Sequence, residues 1–181
     1  GSGSRSCTSR GKDGTGNSVG GALVQITINP VNDLPTTTAQ SVTVTEDQLQ
    51  SITLAGSDID GDSLSYAIVT PPTKGGIEGG TDATRDYTPN LNATGSDSFT
   101  FRVNDGTGNS VGVALVQITI NPVNDLPTPT AQSVTVTEDQ LQSITLAGSD
   151  IDGDSLTYAI VTPPTKGGIE GGTDAPRDYT P

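Results

Sequence analysis

The chain has 181 residues, with 23 Gly and 12 Pro, no Trp, Met or His, and a formal net charge of -13. That length admits one or two domains. The missing histidine excludes Ser-His-Asp and Cys-His catalysis, and the acidic surface repels nucleic acid and anionic lipid, whose phosphates need Lys and Arg partners.

Residues 1–12 read as a Gly/Ser/Arg-rich tail or linker scar without the apolar h-region of a signal peptide. Cys7 is the single cysteine, so no internal disulfide is expected. Residues 13–33 read as the last strand of a preceding repeat, Asn17–Asn29, followed by a linker. That linker, Asn29-Pro-Val-Asn-Asp-Leu-Pro35, returns as Asn121–Pro127. The return is general: residues 13–89 align without a gap to residues 105–181, differing only at Gly21/Val113, Thr37/Pro129, Ser65/Thr157 and Thr84/Pro176. A period of about 90 residues is the size of a small domain, too long for a solenoid unit.

Within one period the pattern is all strand, rich in Val, Ile and Thr, which suit a pleated, half-buried surface. Ser41–Glu46, Ser51–Leu54, Leu64–Val69, Gly76–Glu78, Arg85–Thr88, Ser98–Val103 and Val111–Ile120 make seven short strands between Gly/Pro/Asn turns. In the last, Leu115 is expected inward with Ile118 or Ile120. The fold expected is all-β: tandem seven-stranded Greek-key β-sandwiches, the second copy incomplete. Residues 34–125 form the complete domain. Residues 126–181 form a partial one lacking its last two strands, because no counterpart of Asn90–Asn121 follows Pro181. No apolar run approaches the roughly 18 residues a membrane span needs, so no membrane insertion is expected.

Asp58-Ile-Asp60-Gly-Asp62, repeated at Asp150–Asp154, places three carboxylates at alternating positions with a glycine to bend the backbone. Hard oxygen ligands at that density suit calcium; a solvated acidic turn built on Asx hydrogen bonds is the other reading. An EF-hand loop is excluded, since Gly stands at its fourth position and Val69 where the bidentate Glu belongs.

Four motifs in order, Val-Thr-Glu46-Asp, Ser-Asp58-Ile-Asp60-Gly-Asp62, Val-Asn-Asp105-Gly and Pro-Val-Asn124-Asp125-Leu-Pro, resemble the cadherin repeat motifs. The nearer resemblance is to bacterial cadherin-like, Ig-like tandem repeats of large surface adhesins. It implies calcium clamped where successive domains meet. Carried over, the joint after the complete domain would use Glu46, Asn124, Asp125, Asp150, Asp152 and Asp154, with the Leu126 carbonyl. The joint before it would use Asn32, Asp33, Asp58, Asp60, Asp62 and Asp105. The family's Asp-Arg-Glu-type motif is absent, and Asp97 is taken as a partial substitute. Pro30 or Pro122 stands at the linker's leading acid and Leu34 or Leu126 at its closing amide. The function implied is a calcium-rigidified structural and adhesive repeat, not an enzyme, located outside the cell or on its surface.

Two accounts of the open second copy stand side by side. The chain is an excerpt from a longer array whose neighbouring repeats complete it, or Asn17–Asn29 of one molecule completes the partial domain of the next, giving head-to-tail filaments. In the second account the sixth-strand register of the donor holds Cys7, Ser9 and Gly11 against Phe99, Phe101 and Val103. The functional alternative is a carbohydrate-binding module of a secreted polysaccharide-active system, with a surface polysaccharide as partner, resting on Tyr87 and Tyr179 if their rings are exposed.

Overall fold

The structure is a computed structural model and describes residues 3–17 and 20–181. Gly1 and Ser2 of the expected tail, and Ser18 and Val19 of the expected strand Asn17–Asn29, lie outside the described residues. The chain divides into two units, Gly1–Asn121 and Pro122–Pro181. Among the described residues every regular element is a strand, and no helix is long and apolar enough to cross a membrane.

The first unit holds β1 (Gly3–Ser9), β2 (Ala22–Ile28), β3 (Thr36–Thr38), β4 (Gln40–Thr45), β5 (Gln50–Thr53), β6 (Ala55–Ser57), β7 (Ser65–Thr70), β8 (Gly75–Glu78), β9 (Thr84–Pro89), β10 (Gly95–Asn104) and β11 (Ala114–Asn121). One sheet runs β4-β11-β10-β7, with β11 parallel to β4 and antiparallel to β10; the other runs β5-β9-β8, and β3 pairs with β6. The two sheets share one core, in which Val44, Ile52, Tyr66, Tyr87, Phe99, Phe101, Val116, Ile118 and Ile120 are buried. This is the β-sandwich expected.

Three details differ from the sequence reading. Leu115 faces outward, 44% exposed, because the two-residue period of β11 gives the inner face to Ala114, Val116, Ile118 and Ile120 together. Short strands β3 and β6 pair with each other, Thr36 opposite Ser57. Their Thr-Thr-Thr and Ala-Gly-Ser sequences carry no apolar alternation that could have marked them. Gly3–Ser9, read as tail from its composition, is strand β1. It pairs with β2 in the register that β10 keeps with β11: Gly3 opposite Ile28 as Gly95 is opposite Ile120, Cys7 opposite Val24 as Phe99 is opposite Val116. Every residue of β1 and β2 is exposed.

The second unit keeps β12 (Thr128–Pro129) with β14 (Gly148–Ser149), and β13 (Gln142–Thr145) with β16 (Pro176–Thr180) and β15 (Gly168–Ile169). These repeat the β3-β6 and β5-β9-β8 pairings. Residues 132–137 and 157–162, the equivalents of β4 and β7, form no strand. The sequence is almost unchanged, so the difference lies in the partners. In the first unit β4 and β7 are laddered by β11 and β10, and residues 122–181 contain neither. A strand without a neighbour leaves its backbone groups unpaired.

Candidate metal centre

Asp58 follows β6 and its two carboxylate oxygens do different work. Oδ1 accepts the amides of Asp60 at 2.9 Å, Gly61 at 3.0 Å and Asp62 at 3.3 Å. This closes the turn, which Gly61 completes at φ 82°, a left-handed conformation that glycine takes at little cost. Oδ2 is shielded from solvent and has no hydrogen-bond partner. Asp58 also lines a cleft of about 480 Å³, with Asp33, Leu34, Thr36, Ser57 and Ile59.

The linker is tied to this turn. The Asp33 amide donates to Asp60 Oδ2 at 2.8 Å, and Asn32 Nδ2 donates to Asp105 Oδ2 at 3.0 Å and to the Asp33 carbonyl at 3.1 Å. Asp105 follows β10. Its Oδ1 accepts Thr107 N at 2.6 Å, Gly108 N at 2.6 Å and Thr107 Oγ1 at 2.9 Å. The Asn32 bond first, then those amides, hold its carboxyl well below the ordinary aspartate range. Thus Asn32, Asp33, Asp58, Asp60 and Asp105 are brought together, while Asp62 is exposed and reaches the turn through its amide.

The second unit builds the same turn. Asp150 Oδ1 accepts Asp152 N at 2.9 Å and Asp154 N at 3.3 Å, with Gly153 at φ 80°. The Asp125 amide donates to Asp152 Oδ2 at 2.7 Å and Asn124 Nδ2 to the Asp125 carbonyl at 2.8 Å. In the first unit Glu46, just beyond β4, is buried, with its amide donating to the Asn121 carbonyl at 3.0 Å.

Asp97 does not join the predicted ligands. It is 5% exposed, and its oxygens accept Thr73 N, Lys74 N and Ser98 N at 2.9 Å each, Thr73 Oγ1 at 3.2 Å and the Tyr87 hydroxyl at 2.8 Å. Five donors fill the roughly four lone-pair positions of a carboxylate, so nothing remains for a metal. Burial would raise its pKa, but the Thr73 amide, the Tyr87 hydroxyl and the other amides outweigh it and the net shift is downward. Burial first, then this carboxylate, pushes the Tyr87 phenol upward. The Tyr87 ring is fully buried and Tyr66 is 9% exposed, so the sugar platform expected of Tyr87 is absent.

Three residues escaped the sequence reading. Thr36 and Ser57, on β3 and β6, share a 2.9 Å hydroxyl contact on the cleft wall. Arg85, 2% exposed, donates from one nitrogen to the Tyr66 carbonyl at 2.8 Å and from the other to the Asp82 and Thr84 carbonyls at 2.7 Å. Its position on the inward face of β9, two residues before Tyr87, was the available signal.

The chain matches the bacterial Ig domain family over residues 32–119 and 124–181 and belongs to it. It is 28% identical over 183 residues to integrin beta-like protein C of Dictyostelium discoideum, spanning 88% of this chain and 9% of that protein. Integrin beta-like protein A of the same organism is 32% identical over 161 residues, spanning 76% and 8%. The chain is therefore a small part of the length of these relatives. Human protocadherin-24 EC1-2, form II, superposes with a TM-score of 0.58 at 14% identity, covering 83% of this chain and 80% of that one. That likeness establishes a cadherin-like, Ig-like arrangement of strands.

Proposed function

We propose that this chain is a calcium-rigidified structural and adhesive repeat, without catalytic activity, of a protein displayed outside the cell or on its surface. The observation that carries the reading is Asp58 Oδ2, a carboxylate oxygen sealed from water with no donor to meet it. A buried anionic oxygen is costly unless a cation neutralises it. The side chains around it offer oxygen and no sulfur or imidazole nitrogen. This suits calcium, which takes six to eight oxygens at about 2.3–2.6 Å, and not zinc, which prefers Cys and His.

Asn32, Asp33, Asp58, Asp60 and Asp105 would hold the ion, with Asp62 at the rim; Asp97 is withdrawn from the set. By the same resemblance Asn124, Asp125, Asp150, Asp152 and Asp154 would hold an ion in the second unit. Bound calcium supplies the positive charge that cancels repulsion among these carboxylates. The chain's own residues already fasten the linker to the acidic turn through the Asp33–Asp60 bond. With calcium holding the linker to the acidic turn the linker no longer swings, and a string of such repeats becomes a stiff extender for an adhesive element.

Calorimetric titration with calcium, paired with small-angle scattering, tests the reading. Binding heat, a higher Tm and a larger maximum dimension are expected, all reversed by chelation. Asp58→Ala should lose a site, whereas Asp174→Ala, in an exposed bend, should not. No binding heat, with Tm and dimension unchanged, would overturn it.

A further inference from the structure

Asn92-Ala93-Thr94 is the single Asn-x-Ser/Thr triplet of the chain. It occupies the turn between β9 and β10, where the first unit crosses from one sheet to the other. Backbone groups and neighbouring side chains hold that turn. The Asn92 amide donates to Asp47 Oδ1 at 2.9 Å, the Ala93 amide to the Asn90 carbonyl at 3.0 Å, and Lys74 Nζ to the Thr94 carbonyl at 2.7 Å. Ala93 packs against the core.

The side chains on either side of Ala93 take no part in this. Among the described residues, neither the Asn92 carboxamide nor the Thr94 hydroxyl has a hydrogen-bond partner, and neither is sealed from solvent. Thr94 is exposed, and Leu91, on the other side of Asn92, is 82% exposed. Asn92 sits at φ 54°, a left-handed conformation that Asn tolerates. Backbone geometry therefore accounts for Asn92, though glycine would serve it as well. It does not account for the Thr94 hydroxyl two residues later, which the fold does not use.

We propose that Asn92 is the acceptor of an N-linked oligosaccharide, delivered from a polyprenyl-pyrophosphate carrier as the chain is exported. An Asn followed two residues later by Ser or Thr, with no proline between, is the triplet this transfer requires. Asn92 Nδ2 bonds to the anomeric carbon of the first sugar, and the bond from that carbon to the pyrophosphate oxygen breaks. The carrier pyrophosphate leaves with the electron pair, and one Nδ2 proton passes to the transferase. The backbone bonds that hold the turn are untouched, and the bulky, solubilising product extends from a side chain already facing water. The inference takes from the preceding reading only that the chain is displayed outside the cell, and it does not involve calcium.

The test is to secrete the 181-residue chain from a eukaryotic host behind a cleavable leader and to read it by electrophoresis and peptide mass, before and after peptide N-glycosidase. A single glycosylated form is expected, which collapses on enzyme treatment and leaves Asp in place of Asn92. Thr94→Ala, which keeps Asn92 and the backbone bonds of the turn, should abolish the glycan. Asn92→Gly, which suits the left-handed turn, should abolish it too. Secreted chain with Asn92 unmodified, or a glycan that survives either substitution, would overturn the inference. Neither result bears on the calcium titration, so the two readings fail separately.

Discussion

The Asp33 amide donates to Asp60 Oδ2 at 2.8 Å, so a residue of the linker is fixed to the acidic turn that follows β6. The second unit repeats the bond between Asp125 and Asp152 at 2.7 Å. Its presence in both units makes it a property of the motif pair, Asn-Asp in the linker and Asp-Ile-Asp-Gly-Asp in the turn. Asp60→Ala should lower stability without calcium by about 1 kcal/mol, the worth of one ordinary hydrogen bond, and reduce calcium affinity about tenfold or more. Denaturant melts and calorimetry check the two numbers separately.

Asp97 gives a stability effect with a definite sign in pH. Its folded pKa is depressed, so its contribution is present above the ordinary aspartate range, near pH 3.9, and is lost as pH falls through the folded value. Asp97→Asn should cost about 3 kcal/mol near neutrality, since it replaces a charged acceptor and sets an NH2 against donors. It should also flatten the acid limb of the stability profile. Tyr87→Phe removes only the 2.8 Å hydroxyl bond and should cost about 2 kcal/mol. Urea melts from pH 7 down to pH 3 measure all three.

Val116 and Leu115 are adjacent on β11 and lie on opposite faces. Val116→Ala should cost about 2 kcal/mol through lost burial and a cavity. Leu115→Ala should stay within about 0.5 kcal/mol. A larger effect from Leu115 would contradict the strand's orientation.

Arg85 should be intolerant of lysine. Its planar fork reaches the Tyr66 carbonyl on one side and those of Asp82 and Thr84 on the other, and Arg177 repeats the contact with the Tyr158 carbonyl at 3.0 Å. A lysine ammonium cannot span both sides, and Arg85→Lys should cost about 2 kcal/mol by thermal melt.

The strands were legible where apolar residues alternate, as in Ser98–Val103, and illegible where they do not, as in Thr36–Thr38. Period-two alternation marks two faces without saying which one is inward. That is why Leu115 was misassigned while its neighbours Ile118 and Ile120 were both buried. The acidic turn was visible as spacing, because one Asp per two residues beside Gly61 has few other uses. Asp97 was not separable from it by residue type alone. Its role depends on which amides β10 meets, and the Thr73–Lys74 turn that supplies them is about twenty residues away in sequence. The tail was misread for a related reason. The Ser, Arg and Cys of Gly3–Ser9 lack apolar pattern, yet β2 offers them a complete backbone ladder.

The measurement that bears most directly on the account is a crystal structure grown in millimolar calcium, read at the Asp58 carboxylate. An ion is expected within about 2.3–2.6 Å of Asp58 Oδ2, with further oxygens from the 32–33 linker and the Asp60 turn. Asp58 Oδ2 bound only to water or to a protein donor, with no ion in the cleft, would contradict it.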